Sequence, residues 1–266
     1  MGWIDTDVAQ RLQGYLHTIM QVGRESLVIG GLTLYLEGFD PDVGANYALP
    51  NRPNPNITPS AFERIERVSA KRAQLICFQW LDTYAPGLTK QLSGMGYVQQ
   101  EALPLLVCQP GQLRPPAEGA ALEFVVMNEE ASLEDLAEHW NINQRGFNPL
   151  PMLVEPNEVE YFRSTLTTSR AFTARLDGMG VSSGMYTDIR DGVTELMGIA
   201  TLQAYRRRGI GGALTAFATQ SAFADGATLA FLTAASEEAS RVYQRVGFGL
   251  VGDLVLMAKR LTTSDT

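Results

Sequence analysis

The residues with the clearest chemical meaning lie in one stretch, 199–214, which reads IATLQAYRRRGIGGAL. An apolar run ends there, a glycine-rich turn follows, and helical spacing begins. The first turn of a helix carries N–H groups without intrahelical acceptors and about half a positive charge, and glycine lets a backbone approach a bulky anion closely. This order of elements predicts a cradle for a pyrophosphate group.

Two familiar phosphate-binding loops are excluded by the residues around these glycines. No Lys follows them, as a P-loop requires, and Leu214 stands where a dinucleotide fingerprint needs Gly or Ala. An unrelated nucleotide-binding enzyme is therefore disfavoured. The pattern Arg206-x-x-Gly209-x-Gly211, with Tyr205 before it, resembles the acyl-coenzyme A loop of the GNAT N-acetyltransferase superfamily. For this stretch taken alone, a glycine-rich helix start with no ligand is the alternative.

Two further residues match the same family. Tyr243 stands four residues before Gly247, in a segment that resembles the family's second-helix signature. Glu195 precedes Arg206 by eleven residues, which is the usual place of a strand carboxylate in the family. Taken alone, they could be a Tyr packed on an amphipathic helix and a Glu at a strand edge. The three elements fall in the family's order, and the resemblance covers roughly residues 121–260.

The resemblance implies that acetyl-CoA is the cofactor and that its acetyl group goes to a primary amine, on a small molecule or a peptide. Glu195 would take the proton of the amine, directly or through water, and Tyr243 would ease the departure of the thiolate. Backbone groups of residues 199–201 would stabilise the oxyanion and pair with the pantetheine arm. Cys77 and Cys108 both precede the predicted cofactor-binding half, so direct attack in a ternary complex is expected rather than transfer through a protein thiol.

The residues that the matched motifs assign to cofactor binding are Ile199, Ala200, Thr201, Arg206, Arg207, Arg208, Gly209, Ile210, Gly211, Gly212 and Ser236. Ser236 stands where the family often has Asn, and its shorter side chain leaves its contact to the cofactor open. Two rival functions also stay open. One is a non-catalytic acyl-CoA-binding or sensing protein, and the other is an O-acyl or longer-acyl transferase on the same scaffold.

The second half of the chain supplies the elements that must position these residues. Strands are predicted at 121–127, 171–176, 181–187, 193–202, 228–233 and 250–258, and helices at 133–140, 209–223 and 236–245. Ser132 and Ser236 are the predicted helix caps. This alternation predicts a mixed α/β (α+β) sheet, and the resemblance implies a GNAT-like fold.

The first half of the chain repeats this ending in weaker form. It has helical spacing at 60–71 and 86–95 and strand candidates at 74–80 and up to Cys108, and Gly96-Tyr97 corresponds to Gly247-Phe248 at an offset of 151 residues. We interpret this as an internal repeat, although any two α/β segments can be aligned in this way. The loop at 51–59 is rich in Pro, which has no N–H to donate, and Leu92 takes the place of Tyr243.

A Pro- and Gly-rich linker at 109–119 separates the two halves. The predicted organisation is therefore a tandem of two GNAT-like domains: residues 1–115 as a degenerate domain without a cofactor site, and residues 116–266 as the catalytic acetyltransferase domain. The acceptor pocket is expected to be built from residues 140–160, with a contribution of the first half left open. No motif in these segments identifies the acceptor.

Composition limits the remaining function classes. The 266 residues are 45% hydrophobic and 19% charged, with a net charge of −8, which excludes disorder, makes nucleic acid an unsuitable partner and favours a cationic substrate. His17, His139 and the two cysteines lack metal-ligand spacing, so no metal is expected. No signal peptide or membrane span is predicted. The expectation is a soluble cytoplasmic protein, and a homodimer is left open.

Overall fold

The computed structural model of the chain describes residues 6–37, 46–72, 75–114, 121–148 and 156–259. The chain divides into two compact units, Met1–Leu105 with Val251–Thr266, and Leu106–Leu250. These ranges differ from the predicted domains, 1–115 and 116–266, because the last strand groups with the first unit. That strand is hydrogen-bonded to a strand of the first half, with Leu254 opposite Leu81 and Val255 opposite Trp80.

The first unit combines helices with a mixed sheet. Its elements are α1 (Thr6–Gln21), β1 (Glu25–Ile29), β2 (Leu32–Leu36), β3 (Asn46–Pro50), α2 (Pro59–Arg72), β4 (Ile76–Leu81), α3 (Leu88–Ser93), β5 (Tyr97–Cys108) and, from the end of the chain, β11 (Gly249–Lys259). The strand order runs β1-β2-β3-β4-β11, with β3 and β4 parallel. A core around Phe78 and Trp80 lies against α2 and α3. β5 begins in this unit and ends in the second.

The second unit contains the motifs that the sequence analysis singled out. Its elements are β6 (Leu122–Met127), α4 (Leu133–Phe147), α5 (Pro156–Thr165), β7 (Arg170–Leu176), β8 (Met179–Tyr186), β9 (Val193–Thr201), α6 (Ile210–Ala224), β10 (Leu229–Thr233) and α7 (Glu237–Val246). The strand order is β10-β9-β8-β7-β6. The strands from β6 to β9 pair antiparallel, whereas β9 and β10 are parallel. The predicted mixed α/β fold is confirmed.

The helix boundaries follow local rules. The Ser132 hydroxyl accepts a hydrogen bond from the Asp135 N–H (3.1 Å), and the Ser236 hydroxyl accepts one from the Ala239 N–H (3.2 Å), so both predicted caps are confirmed. α7 ends at Gly247, which adopts a φ of 112° that is unfavourable for other residues. α4 extends to Phe147, beyond the predicted end at residue 140. None of the described helices is long and apolar enough to cross a membrane.

Helices cover both faces of the sheet in the second unit. Leu196 of β9 lies in a buried cluster with Leu214 of α6. Met185 of β8 packs instead against a cluster that contains Leu136 of α4. Tyr186 is opposite Leu196, and Met185 is opposite Met197. Because adjacent strand residues point to opposite faces, α6 covers one face and α4 covers the other.

The two halves share an order of elements. The series α2-β4-α3-β5 is matched by α6-β10-α7-β11, and the parallel pair β3–β4 is matched by the parallel pair β9–β10. Gly96 and Gly247, which the predicted offset aligns, both have positive φ between a helix and a strand (83° and 112°). The order of elements therefore agrees with the predicted repeat. Five elements, α1, β1, β2, β3 and α5, were not predicted from the sequence.

Candidate active site

β9 is irregular at its centre. Ser183 of β8 is opposite Ala200, whereas Met185 is opposite Met197. Two residues of β9, Gly198 and Ile199, therefore oppose the single residue Gly184. Gly198 has a φ of 63°, a conformation that glycine adopts without strain. This arrangement is a β-bulge, a feature common beside active sites.

The bulge changes which face each side chain of β9 reaches. In a regular strand, Glu195 and Thr201 would share a face because six residues separate them. Glu195 precedes Met197 by two residues, so both side chains point to the same face of the sheet. That face is covered by α4, because Met197 is opposite Met185. Thr201 lies on the α6 face, since a Cβ atom placed on Gly211 of α6 would lie 3.2 Å from its Oγ1. One strand therefore directs a carboxylate to one side and borders the glycine-rich helix start on the other.

Helix α4 approaches the bulge closely and fixes its shape. The Asn143 side-chain amide donates a hydrogen bond to the Gly198 carbonyl (2.7 Å). A Cβ atom placed on Gly146 would lie only 2.6 Å from the Cβ of Ala200, so no larger residue fits without displacement. Both residues lie in the segment 140–160 that was expected to build the acceptor pocket, of which residues 149–155 lie outside the described residues, but neither was predicted to contact β9. A glycine within a strand pattern, as at Gly198, is the sequence signal that could have indicated the bulge.

The backbone beyond the bulge has a free edge. Among the described residues, β9 pairs with β10 only from Val193 to Glu195, although β9 continues to Thr201. The N–H of Leu202 donates to Val181 on the β8 side (3.0 Å). Because successive residues of an antiparallel ladder alternate between edges, the N–H of Thr201 points to the opposite edge. The predicted residues 199–201 thus border an edge of β9 that does not pair with β10.

The three arginines of the loop contact protein groups. Arg206 donates from its guanidinium to the carbonyl of Thr201 (3.0 Å) and to that of Gly146 (2.7 Å). Arg207 forms an exposed ion pair with Glu238 of α7 (3.0 Å). The Arg208 guanidinium lies 5.7 Å from the centre of the Tyr205 ring. Arg206 therefore joins α4 to the end of β9, and its contact to a cofactor stays a prediction.

The start of α6 offers uncapped backbone donors. Gly209 precedes the helix with a φ of 78° and has no side chain to cap it. The N–H of Ala213 donates to the Gly209 carbonyl (3.0 Å), which is the first bond of the helical ladder. The N–H groups of Ile210, Gly211 and Gly212 therefore have no intrahelical acceptor. These residues fit a pyrophosphate group, because the donors are bare and a side chain at Gly211 would take the space beside Thr201.

The corresponding helix start in the first unit is closed by its own residues. α2 begins with Pro59, which has no N–H. The N–H of Ala61 donates to the Thr58 hydroxyl (3.3 Å), and the N–H of Phe62 donates to the Thr58 carbonyl (3.0 Å). The turn between β1 and β2 is also close, since a Cβ atom on Gly30 would lie 2.5 Å from the Cβ of Ala61. This helix start therefore offers fewer free backbone donors than the start of α6, and the absence of a cofactor site in the first half stays a prediction.

Glu195 has the properties of a base near neutral pH. Its side chain is half-buried, and its carboxylate forms no hydrogen bond with the described residues. Burial raises the pKa of Glu195 from 4.5 to about 7. The carboxylate thus gains and loses a proton at neutral pH, as a general base must.

Tyr243 has the properties of a proton donor. The residue is 9% exposed, within the cluster around α6, and its ring lies 6.4 Å from that of Phe248. Burial raises the pKa of Tyr243 to about 12, so the phenol keeps its proton at neutral pH. Its hydroxyl forms no hydrogen bond with the described residues.

Among the described residues, no group of three or more His, Cys, Asp or Glu side chains could hold a metal ion.

Cys108 lies elsewhere than the sequence suggested. The end of β5 belongs to the second unit, and Cys108 is fully buried in the same core cluster as Tyr243. The expectation that this half lacks a cysteine was therefore wrong, because a strand that precedes the linker completes its core. Burial raises the pKa of the Cys108 thiol to about 11. The thiol is inaccessible and protonated at neutral pH, and thus a poor nucleophile.

Comparison with known proteins agrees with this architecture. The model of the acetyltransferase (GNAT) family matches residues 133–248. The chain is similar to a GCN5-related N-acetyltransferase from Kribbella flavida, with 30% sequence identity, a TM-score of 0.76 and coverage of 95% of each chain. No curated protein matches the chain.

Two more distant structures share the fold. One is a tandem GNAT protein from the clavulanic acid biosynthesis pathway, with 16% identity, a TM-score of 0.64 and coverage of 90% of this chain and 81% of that chain. The other is a GCN5-related N-acetyltransferase from Sphaerobacter thermophilus, with 12% identity, a TM-score of 0.64 and coverage of 94% and 89%. The likeness in each case extends over both halves of the chain.

Proposed function

The chain belongs to the GNAT family of acetyltransferases, and from this premise we propose that it transfers the acetyl group of acetyl-CoA to a primary amine by direct attack in a ternary complex. The observation that carries the proposal is the junction where β9 ends, because a strand edge meets an uncapped helix start there within the second unit. Glu195, a carboxylate with a pKa near 7, lies earlier on the same strand, before the bulge and on the α4 face.

Binding of acetyl-CoA is assigned to backbone groups. The N–H groups of Ile210, Gly211 and Gly212 would hold the pyrophosphate, with the helix dipole adding to the attraction. The edge of β9 at residues 199–201 would pair with the pantetheine arm. Ser236 already caps α7. Arg207 and Arg208 are exposed and add positive charge beside the cradle.

Glu195 prepares the acceptor amine. A lysine-like amine has a pKa of about 10.4, so its neutral form is disfavoured by roughly 4.6 kcal/mol at pH 7. A carboxylate with a pKa of about 7 is a stronger base than an ordinary Glu. It accepts the ammonium proton directly or through one water molecule, and its negative charge attracts the ammonium to the site.

Two groups of the chain serve the transfer itself. Bound acetyl-CoA supplies a thioester carbonyl as the acetyl donor. The N–H of Thr201, directed away from β8, would donate to the carbonyl oxygen as negative charge develops there. The Tyr243 hydroxyl would donate its proton to the departing sulfur. The buried and protonated Cys108 thiol argues against a covalent route through the protein.

The test is release of free CoA from acetyl-CoA with a panel of primary amines, measured for the parent and for Tyr243→Phe. We expect amine-dependent release in the parent and a large loss in the variant, with acetyl-CoA still bound. Binding without release for every amine would identify a non-catalytic acyl-CoA-binding protein. A preference for alcohols or for longer thioesters would identify the O-acyl or longer-acyl transferase.

A further inference from the structure

An exposed apolar side chain stands next to Glu195. Met197 follows it by two residues on the same strand and is 45% exposed. Its cross-strand neighbour Met185 points into the cluster beneath α4. Met197 therefore also faces the α4 side, together with Glu195. Large apolar side chains that are exposed beside a chemically active site indicate a surface for binding a ligand.

A second exposed apolar side chain approaches the same place from the helix. Phe147 ends α4 and is 62% exposed. It follows Asn143 by four residues, so both side chains lie on one face of the helix, and Asn143 is bonded to the bulge. The adjacent Gly146 is in close contact with Ala200. Met197 and Phe147 thus flank the bulge from the strand and from the helix.

The negative charge of Glu195 restricts which apolar ligands can bind beside Met197 and Phe147. Glu195 forms no ion pair with the described residues, so its carboxylate is available for one cationic group. The surface thus combines one anionic group with apolar side chains on both sides of the bulge. A ligand that matches it has one ammonium group and an apolar skeleton beside it, whereas a polycation would leave further charges against Met197 and Phe147.

We propose that the acceptor is a primary monoamine with an apolar carbon skeleton, which places its nitrogen at Glu195 and its skeleton against Met197 and Phe147. This inference rests on the proposed acetyl transfer and specifies its substrate class. The side chains of Met197 and Phe147 lose water only when such a skeleton covers them. Longer apolar chains should therefore react more efficiently.

The test compares amines that differ only in their skeleton. CoA release is measured with propylamine, butylamine, pentylamine and hexylamine, and with 5-amino-1-pentanol and spermidine. We expect kcat/KM to rise about fourfold for each added methylene, as about 0.8 kcal/mol per buried CH2 implies. Hexylamine should exceed both 5-amino-1-pentanol, which has the same number of heavy atoms, and spermidine.

Two variants test whether the side chain of Met197 causes the dependence of kcat/KM on chain length. Met197→Gln keeps the length of the side chain but makes it polar, and it should flatten the dependence on chain length. Met179→Gln is the matched control, because Met179 is 57% exposed and is the first residue of β8, paired with Leu176, whereas the bulge lies opposite the other end of β8 between Ser183 and Met185. It should retain the parent's dependence. Since both methionines are exposed, both variants are expected to fold.

The outcomes separate this inference from the proposed function. Equal use of hexylamine and 5-amino-1-pentanol, a preference for spermidine, or an unchanged chain-length dependence in Met197→Gln would overturn the apolar acceptor and leave acetyl transfer intact. Absence of CoA release with every amine, in protein shown to bind acetyl-CoA by calorimetry, would overturn both.

Discussion

Replacement of Glu195 by Gln should make the protein more stable in alkaline solution and less active. Gln has the size of Glu but carries no charge at any pH. The half-buried carboxyl has its pKa raised from 4.5 to about 7, so the folded chain holds this proton more tightly than the unfolded chain does. The stabilisation from that proton is fully present below about pH 4.5 and is lost as the pH rises through about 7.

The magnitude follows from the size of the shift. The raised pKa of Glu195 corresponds to about 3 kcal/mol across the full titration, at 1.36 kcal/mol for each unit. Partial exposure of the side chain reduces this value, and between pH 5 and pH 8.5 we expect about 2 kcal/mol. The free energy of unfolding of Glu195→Gln, relative to the parent, should increase by that amount over the interval.

Urea unfolding at the two pH values, followed by tryptophan fluorescence, measures this difference. Other titrating groups are common to both proteins and largely cancel in the comparison. A difference between variant and parent that is the same at both pH values would refute the assignment of an ionised, destabilised carboxyl. In parallel, the variant should lose the acidic limb of the rate profile near pH 7 and about 10²–10⁴-fold in rate.

Other perturbations test the remaining assignments. Tyr243→Phe should slow acetyl transfer by about 10²–10⁴-fold with unchanged CoA affinity by calorimetry, and a parent-like rate would reduce Tyr243 to a packing role. Gly211→Glu should abolish CoA binding, because it brings bulk and negative charge to the start of α6. Gly249→Glu, where a Cβ atom has no neighbour within 4 Å, should bind CoA normally, and equal affinity in both variants would contradict the cradle. His139 is 2% exposed, and burial lowers its pKa to about 4, so the unfolded chain takes up this proton first. As the pH falls from about 6.5 to about 4, the parent should lose roughly 3 kcal/mol that His139→Gln does not lose, and equal losses by urea unfolding would contradict this. Removal of residues 1–115 should prevent folding, because Leu106 and Cys108 are fully buried in the core around Tyr243; a folded, CoA-binding fragment by circular dichroism and calorimetry would contradict it.

Local rules explain the two helix caps that were predicted correctly and two further turns of the chain. Ser132 and Ser236 cap helices because a hydroxyl at this position accepts a hydrogen bond from an N–H within three residues. Asp177 and Gly178 form the turn between β7 and β8 with positive φ at both residues, 52° and 78°. Gly209 likewise precedes α6 in the left-handed region. Each of these features depends on residues that are neighbours in sequence.

Some missed elements also had local signals. The first helix is an example, although it was not predicted. Its buried residues have helical spacing: Val8, Leu12, Tyr15 and Leu16. Gly30-Gly31 interrupts the apolar run that forms β1 and β2, which is typical of a hairpin turn. These elements were within reach of sequence analysis.

The sequence by itself determined the uncapped helix start at Gly209 and the order of helices and strands around it, because these follow from propensity and hydrogen bonding between near neighbours. Only the tertiary structure decided that β11 pairs with β4 and that Cys108 enters the core around Tyr243. It also decided the side of β9 on which Glu195 and Thr201 lie. These features depend on strand register and on how closely helices approach the sheet. Both are set by contacts between residues far apart in sequence, such as the hydrogen bond from Asn143 to the bulge at Gly198.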